Sequence, residues 1–258
     1  MRLMKRILSA AAVLALSASL LVGCSSGTAS SVPVSASSAA ESTVSSEEEP
    51  ASSAVDENEA AAAQLLNDLT GSYQELWPVI LADEYKQTWL DDCTALVGED
   101  NAEAAFEKLS SMVTGDVYGE DAVKAYANGG GAYFCGFTNS LATLTFDGET
   151  STISGTDKDG NVLFSHTYHY IGMEPVHGLY EFESDDADSG EFTYFFLAPD
   201  TSAETYHIEF RYGSDAEALS QYDAGEYAYW VASGISTDCD QTMIDNCIEL
   251  FCTENLAG

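Results

Sequence analysis

After Gly129-Gly130-Gly131 the chain breaks into eight short runs of strand-forming residues, and this pattern constrains the fold more than any other feature. The runs are Ala132–Phe137, Leu141–Phe146, Thr150–Ser154, Val162–Ile171, Gly178–Glu183, Phe192–Ala198, Tyr206–Tyr212 and Tyr227–Ala232. Turn signals at Asp147-Gly148, Asp159-Gly160, Pro175 and Pro199-Asp200 separate them. Ala142-Thr143-Leu144-Thr145-Phe146 alternates cleanly, as a strand with one buried face must. Evenly spaced antiparallel strands of this kind are best accommodated in a closed barrel, because closure removes exposed edges.

The residues before the glycine run read as helical: Ala60–Leu69, Tyr73–Leu81, a stretch around Tyr85–Val97, Ala102–Met112 and Ala122–Ala127, broken at Thr70-Gly71, Gly98 and Gly115. Pro78 stands where it ends or kinks a helix. A last helix is expected from near Thr237, with Thr237-x-x-Asp240 as a capping box, to about Cys252. The fold class is therefore mainly β with added helices: an antiparallel barrel with N-terminal helices and a C-terminal helix, in one domain spanning residues 59–258.

The first residues carry Arg2, Lys5 and Arg6, followed by a mainly apolar run from Ile7 to Val22 and then Leu21-Val22-Gly23-Cys24. A basic start, an apolar centre and small residues at the cut are the marks of a signal peptide, and Leu-Val-Gly-Cys resembles the cleavage motif of bacterial lipoproteins. Residues 1–23 are expected to be removed, and the Cys24 thiol to accept a diacylglycerol and so hold the protein to a membrane by acyl chains such as palmitate. Residues 24–58 are almost all Ser, Ala, Val, Thr and Glu without periodicity, the composition of a disordered tether. The expected location is extracytoplasmic, lipid-anchored to the cell membrane.

Charge narrows the partners. The chain has 43 acidic residues against 8 Lys and Arg, a formal net charge of −35, and three of the basic residues lie in the signal segment. Such a surface repels nucleic acid and anionic lipid head groups and concentrates cations. Acidity also simply keeps a surface protein soluble, so charge alone does not define a metal site. Five cysteines follow Cys24, namely Cys93, Cys135, Cys239, Cys247 and Cys252, an odd number with no CxxC, which supports neither a zinc knuckle nor a thioredoxin-type pair. Cys239, Met243, Ile244, Cys247, Ile248 and Phe251 fall on one helical face, where the cysteines read as small hydrophobes.

No GxSxG, HExxH or Walker loop is present, and the reading is of a binding protein, not an enzyme. Asp157-Lys158-Asp159-Gly160 imitates the start of a calcium loop but lacks its distal ligands, so it reads as a hairpin turn, and Asp185-Asp186-x-Asp188 as a solvated loop. The four histidines, His166, His169, His177 and His207, all lie in the strand-rich half. By alternation His166 and Tyr168 face one way and His169 the other, while His207 and Glu209 share a face. A His and a Glu at i, i+2 suit one zinc ion; the same pair can equally be a half-buried histidine beside a surface charge.

Three segments resemble the ZinT family. They are Thr70-Gly71-Ser72-Tyr73-Gln74-Glu75-Leu76-Trp77-Pro78; Tyr168-His169-Tyr170-Ile171-Gly172 with Gly178-Leu179-Tyr180-Glu181-Phe182-Glu183; and Ala198-Pro199 followed by His207-Ile208-Glu209-Phe210-Arg211-Tyr212-Gly213. The resemblance implies a lipocalin-like barrel that binds zinc through histidines at its mouth. It also implies a zinc-uptake transporter as a partner. Carried over by residue, His207 takes the first ligand position and Glu209 the second, in place of a histidine. The position before Ala-Pro falls at Phe195, which binds no metal. His177 and His169 are the candidates to complete the set. The alternative is a metal-free lipocalin-like module that binds a small apolar ligand or another protein, with Tyr168, Tyr194, Phe195, Tyr206 and Trp230 lining a cavity.

Overall fold

A computed structural model describes residues 52–199 and 207–257. The signal peptide, Cys24, most of the tether, and the stretch 200–206 with Tyr206 lie outside the described residues. In order along the chain come α1 (Ser52–Asp68), β1 (Gly71–Glu75), α2 (Leu76–Ile80), a 3₁₀ turn (Asp83–Tyr85), α3 (Lys86–Val97), α4 (Glu99–Val113) and α5 (Glu120–Ala127). Then follow β2 (Thr143–Asp147), β3 (Thr152–Thr156), β4 (Val162–Met173), β5 (Tyr180–Ser184), β6 (Tyr194–Leu197), β7 (His207–Gly213), α6 (Ala216–Leu219), β8 (Ala232–Ser236) and α7 (Gln241–Leu256).

The eight strands close into an antiparallel barrel in which each pairs with its neighbours in sequence and β8 returns to β1. The lipocalin-like barrel with added helices expected from the sequence is what the chain forms. Residues directly paired across strands share a side of the wall. One set runs Tyr73–Leu144–Gly155–Phe164 and another Tyr170–Phe182–Phe195–Tyr212. The rings of Phe164 and Tyr168 on β4 reach Phe195 on β6 across the intervening strand, at centroid distances of 5.9 and 5.4 Å. Contact between non-adjacent strands is possible only inside the barrel, so these sets face inward. Phe195 also stacks beside Tyr212 and Phe210, and all three are fully buried. Each such ring contributes on the order of 1.5–3 kcal/mol of burial.

Three elements differ from the sequence expectation. The helix expected over Tyr73–Leu81 is instead a strand, Gly71–Glu75, followed by one helical turn, Leu76–Ile80. Tyr73 faces the barrel interior against Phe146, and Pro78 lies in the first turn of α2, where its missing N–H costs nothing. The run 132–137 is not a strand of the barrel. It crosses one mouth, bridging to Trp230 through Phe134, while Phe137 N donates to Glu75 Oε1 at 2.6 Å and Trp230 Nε1 donates to Gly136 O at 2.9 Å. The last strand is also displaced, from 227–232 to Ala232–Ser236. Gly234 stands there because a Cβ would meet Ile208 Cγ1 at 3.1 Å.

A second apolar layer lies outside the wall, where α3, α4 and α7 pack through α2 against β8. Trp89, Leu109, Ile248 and Phe251 are buried in it, and Trp89 Nε1 donates to Ile80 O at 2.7 Å. Cys247 is buried on α7 as a small hydrophobe, as its spacing indicated, and Cys252 is buried on the same helix, whereas Cys239 precedes the helix and is half-buried. The N-cap of α7 is Asp240, whose carboxylate accepts from Met243 N at 3.0 Å; the capping box at Thr237 does not form.

Candidate metal site

The outward set of β7 carries His207, Glu209 and Arg211, because Ile208, Phe210 and Tyr212 face the interior. His207 and Glu209 therefore share a face, as alternation required, and it is the outer face of the wall. His207 is half-buried and lines a narrow crevice with Trp77, Ile80, Cys247 and Phe251. That crevice encloses about 10 Å³, room for one water at most. Glu209 is 7% exposed.

Below Glu209 lies a buried polar group that the sequence did not announce. Arg211 is fully buried; it donates through Nη1 to the carbonyl of Leu219 and through Nη2 to that of Tyr227 at 2.5 Å, and both nitrogens lie 3.2 Å from Gln221 O. Its guanidinium lies 4.2 Å above the Tyr222 ring, and the His177 ring lies against the same ring at 3.8 Å, tilted by 46°. Glu174, fully buried, accepts from Val176 N at 2.9 Å and His177 N at 2.6 Å, and its Oε2 is 3.6 Å from His177 Nδ1. Burial alone would raise the Glu174 carboxyl, but the His177 contacts and the two amides outweigh it and hold the group below the usual range. Burial pushes the Tyr222 phenol up; Arg211 opposes this, and the charges of Glu174 and Glu209 add to it. Glu209 and His177 thus both lie within electrostatic or contact range of Tyr222. His177 Nδ1, Arg211 Nε and Tyr222 Oη have no hydrogen-bond partner among the described residues.

His169 is elsewhere. It is on the outer face of β4, three strands from β7, or about 14 Å along the wall. Its Nδ1 is 2.7 Å from Asp185, and on the inner row His166 Nδ1 is 2.7 Å from Asp186. The Asp185–Asp188 loop, read as solvated, therefore anchors two histidines. Among the described residues no three His, Cys, Asp or Glu side chains converge on one point. The structure brings His207 and Glu209 to one face, sets His177 beside the polar group below them, and keeps His169 apart.

Of the aromatic set proposed as a cavity lining, Tyr206 lies outside the described residues, and Tyr168 and Phe195 fill the barrel interior instead. Phe195, Tyr168 and Trp230 are buried in ring contacts, and Tyr194 points outward with its hydroxyl donating to Glu183 at 3.2 Å. The residues that sequence reasoning missed are Glu174, Arg211 and Tyr222. One signal pointed to Arg211: a lone cation between Phe210 and Tyr212 in a chain so poor in basic residues.

No family model and no curated protein matches the chain. Among solved structures it is similar to the Zn(II)-bound ZinT-like domain of Streptococcus pneumoniae AdcA, with 16% identity and a TM-score of 0.45, covering 71% of this chain and 89% of that one. It is also similar to Zn(II)-bound AdcA from the same organism, with 14% identity and a TM-score of 0.43, covering 72% of this chain and 35% of that longer one. At such identities no residue role passes from those proteins to this chain; the barrel stands on its own strand register.

Proposed function

We propose that the protein is an extracytoplasmic, lipid-anchored module that captures a divalent metal ion, zinc first, on the outer face of β7, and that it binds its cargo without transforming it. The observation that carries this reading is the placement of His207 and Glu209 two residues apart on one face of a strand, both in register with β8 opposite Ile235 and Ser233. Side chains at i and i+2 stand about 6.8 Å apart at their Cα atoms, within reach of a single ion by one imidazole nitrogen and one carboxylate oxygen. The segments that resemble the ZinT family put the same two residues at ligand positions. Two protein donors are fewer than the three that an open zinc site uses, so binding is weak and exchangeable, as suits a protein that passes metal to an uptake transporter. The acidic surface raises the local cation concentration around that face. Cys24 fixes the place of work at a membrane.

Calorimetric titration of the metal-stripped domain with zinc tests the reading. A saturable signal is expected, lost in the His207→Ala, Glu209→Ala double variant and retained in His169→Ala. A flat titration at micromolar zinc would overturn it.

A further inference from the structure

The mouth of the barrel crossed by residues 132–137 holds a second candidate site, which shares Trp77 with the crevice at His207 but none of its other walls. A cleft of about 320 Å³ lies between the end of β1, the end of α4 and the crossing segment. Its walls include Trp77, Leu81, Val113, Phe134 and Cys135, and its one ionisable acid is Glu75. The volume is at the lower end of the range for small-molecule sites and holds on the order of ten heavy atoms.

Glu75 belongs to the inward set of β1, opposite Gly234, so its side chain is aimed at the mouth and not at bulk solvent. Oε1 is occupied by Phe137 N at 2.6 Å, which fixes the orientation of the carboxylate, and Oε2 makes no hydrogen bond to the described residues. Gly136 keeps the carboxylate uncovered: a Cβ there would lie 2.8 Å from Glu75 Oε1 and 2.9 Å from the Phe134 ring. Gly115 is equally constrained, since its Cβ would meet the Ala132 carbonyl oxygen at 2.4 Å. The backbone of the crossing segment is thus pressed close to leave a small apolar cleft with one oriented anion.

We infer that this cleft binds a small organic ammonium ion, an alkyl or aryl amine of about ten heavy atoms. The ammonium pairs with Glu75 Oε2, the body lies against Leu81 and Val113, and the faces of Trp77 and Phe134 stabilise the charge further. Charge complementarity selects this occupant: the single ionised group in the cleft is an anion, and the protein around it carries a net charge of −35. A neutral body of the same shape gains the apolar contact but leaves the carboxylate unpaired, and an anion is repelled.

The test uses phenethylammonium, with 2-phenylethanol as its neutral counterpart, in calorimetric titrations of the metal-free protein. Phenethylammonium is expected to saturate with at least tenfold higher affinity than 2-phenylethanol. Glu75→Gln keeps an oxygen acceptor for Phe137 N and removes the charge; it is expected to abolish that preference while leaving Tm within a few degrees. Gly136→Ala is expected to weaken both ligands by filling the cleft. His207→Ala is expected to change neither, which separates this site from the metal face. Absence of a saturable signal, equal binding of the alcohol, or an amine affinity unchanged in Glu75→Gln would each overturn the inference.

Discussion

Arg211 shows how one side chain can set the structure around a candidate site. Its guanidinium gathers the carbonyls of Leu219, Gln221 and Tyr227 onto the outer wall beside Glu209, so the covering loop is tied to the strand that carries the metal face. Replacing it with Met fills the volume but strands those buried acceptors. A loss of about 3 kcal/mol follows, or roughly 6–12 °C in Tm for a domain of this size, readable in a thermal melt; an unchanged Tm would contradict the assignment. Thiol access is a second residue-scale outcome. Cys93 and Cys252 lie 3.9 Å apart in the helical layer, and burial pushes both thiols up, as it does that of Cys135. Cys239 is the half-buried one. Alkylation of the native protein followed by peptide mapping is expected to label Cys239 first and Cys93, Cys247 and Cys252 only on unfolding. The pairing of His207 and Glu209 was legible in the sequence because strand alternation has period two. The approach of Glu174, His177 and Tyr222 was not, since loops distant in the chain bring them together.

At the scale of elements, the sequence announced strand spacing well and strand membership less well. Seven of the expected runs lie in or beside the barrel, yet 132–137 is displaced by Gly71–Glu75. The cause is closure. A barrel needs a strand that pairs with both β2 and β8, and β1 does so at Tyr73, which faces Leu144 on one side and Ser236 on the other. That requirement is long-range and leaves no local mark on the helix-compatible stretch from Tyr73 to Leu81. The hairpin at Asp157–Asn161 was legible, because the Asp157 side chain satisfies the amides of Asp159 and Asn161 at 2.8 and 2.9 Å and Gly160 takes a φ of 80°. For α7, Asp240→Ala removes the observed cap and should cost about 1 kcal/mol, whereas Thr237→Ala should be close to silent. Equal losses from the two would restore the capping box.

At the scale of the whole molecule, acidity governs the pH dependence. Burial and the neighbouring carboxylates Glu249, Asp245 and Asp91 raise Asp92, and burial with Glu174 raises Glu181. A carboxyl raised in the folded state supports stability below its unfolded pKa and loses that support as pH rises through the folded value. Acidification therefore stabilises the fold as Asp92 and Glu181 take up protons in the folded state, together with relief of general repulsion. Glu174, held low, acts in the opposite sense, and its contribution is lost only as pH falls below the usual carboxylate range. Tm is expected to rise as pH is lowered from 7 towards the usual carboxylate range and to fall below that range as Glu174 takes up its proton, and added salt at pH 7 should raise it; a Tm that declines steadily from pH 7 would contradict this.

Zinc capture on the outer face of β7 is the central claim, and ¹⁵N NMR of the four imidazole rings during a zinc titration tests it most directly. The His207 ring is expected to respond in a saturable way while His166 and His169, held by Asp186 and Asp185, keep their resonances. A His207 ring that stays fixed at saturating zinc, or a response confined to His166 and His169, would contradict it.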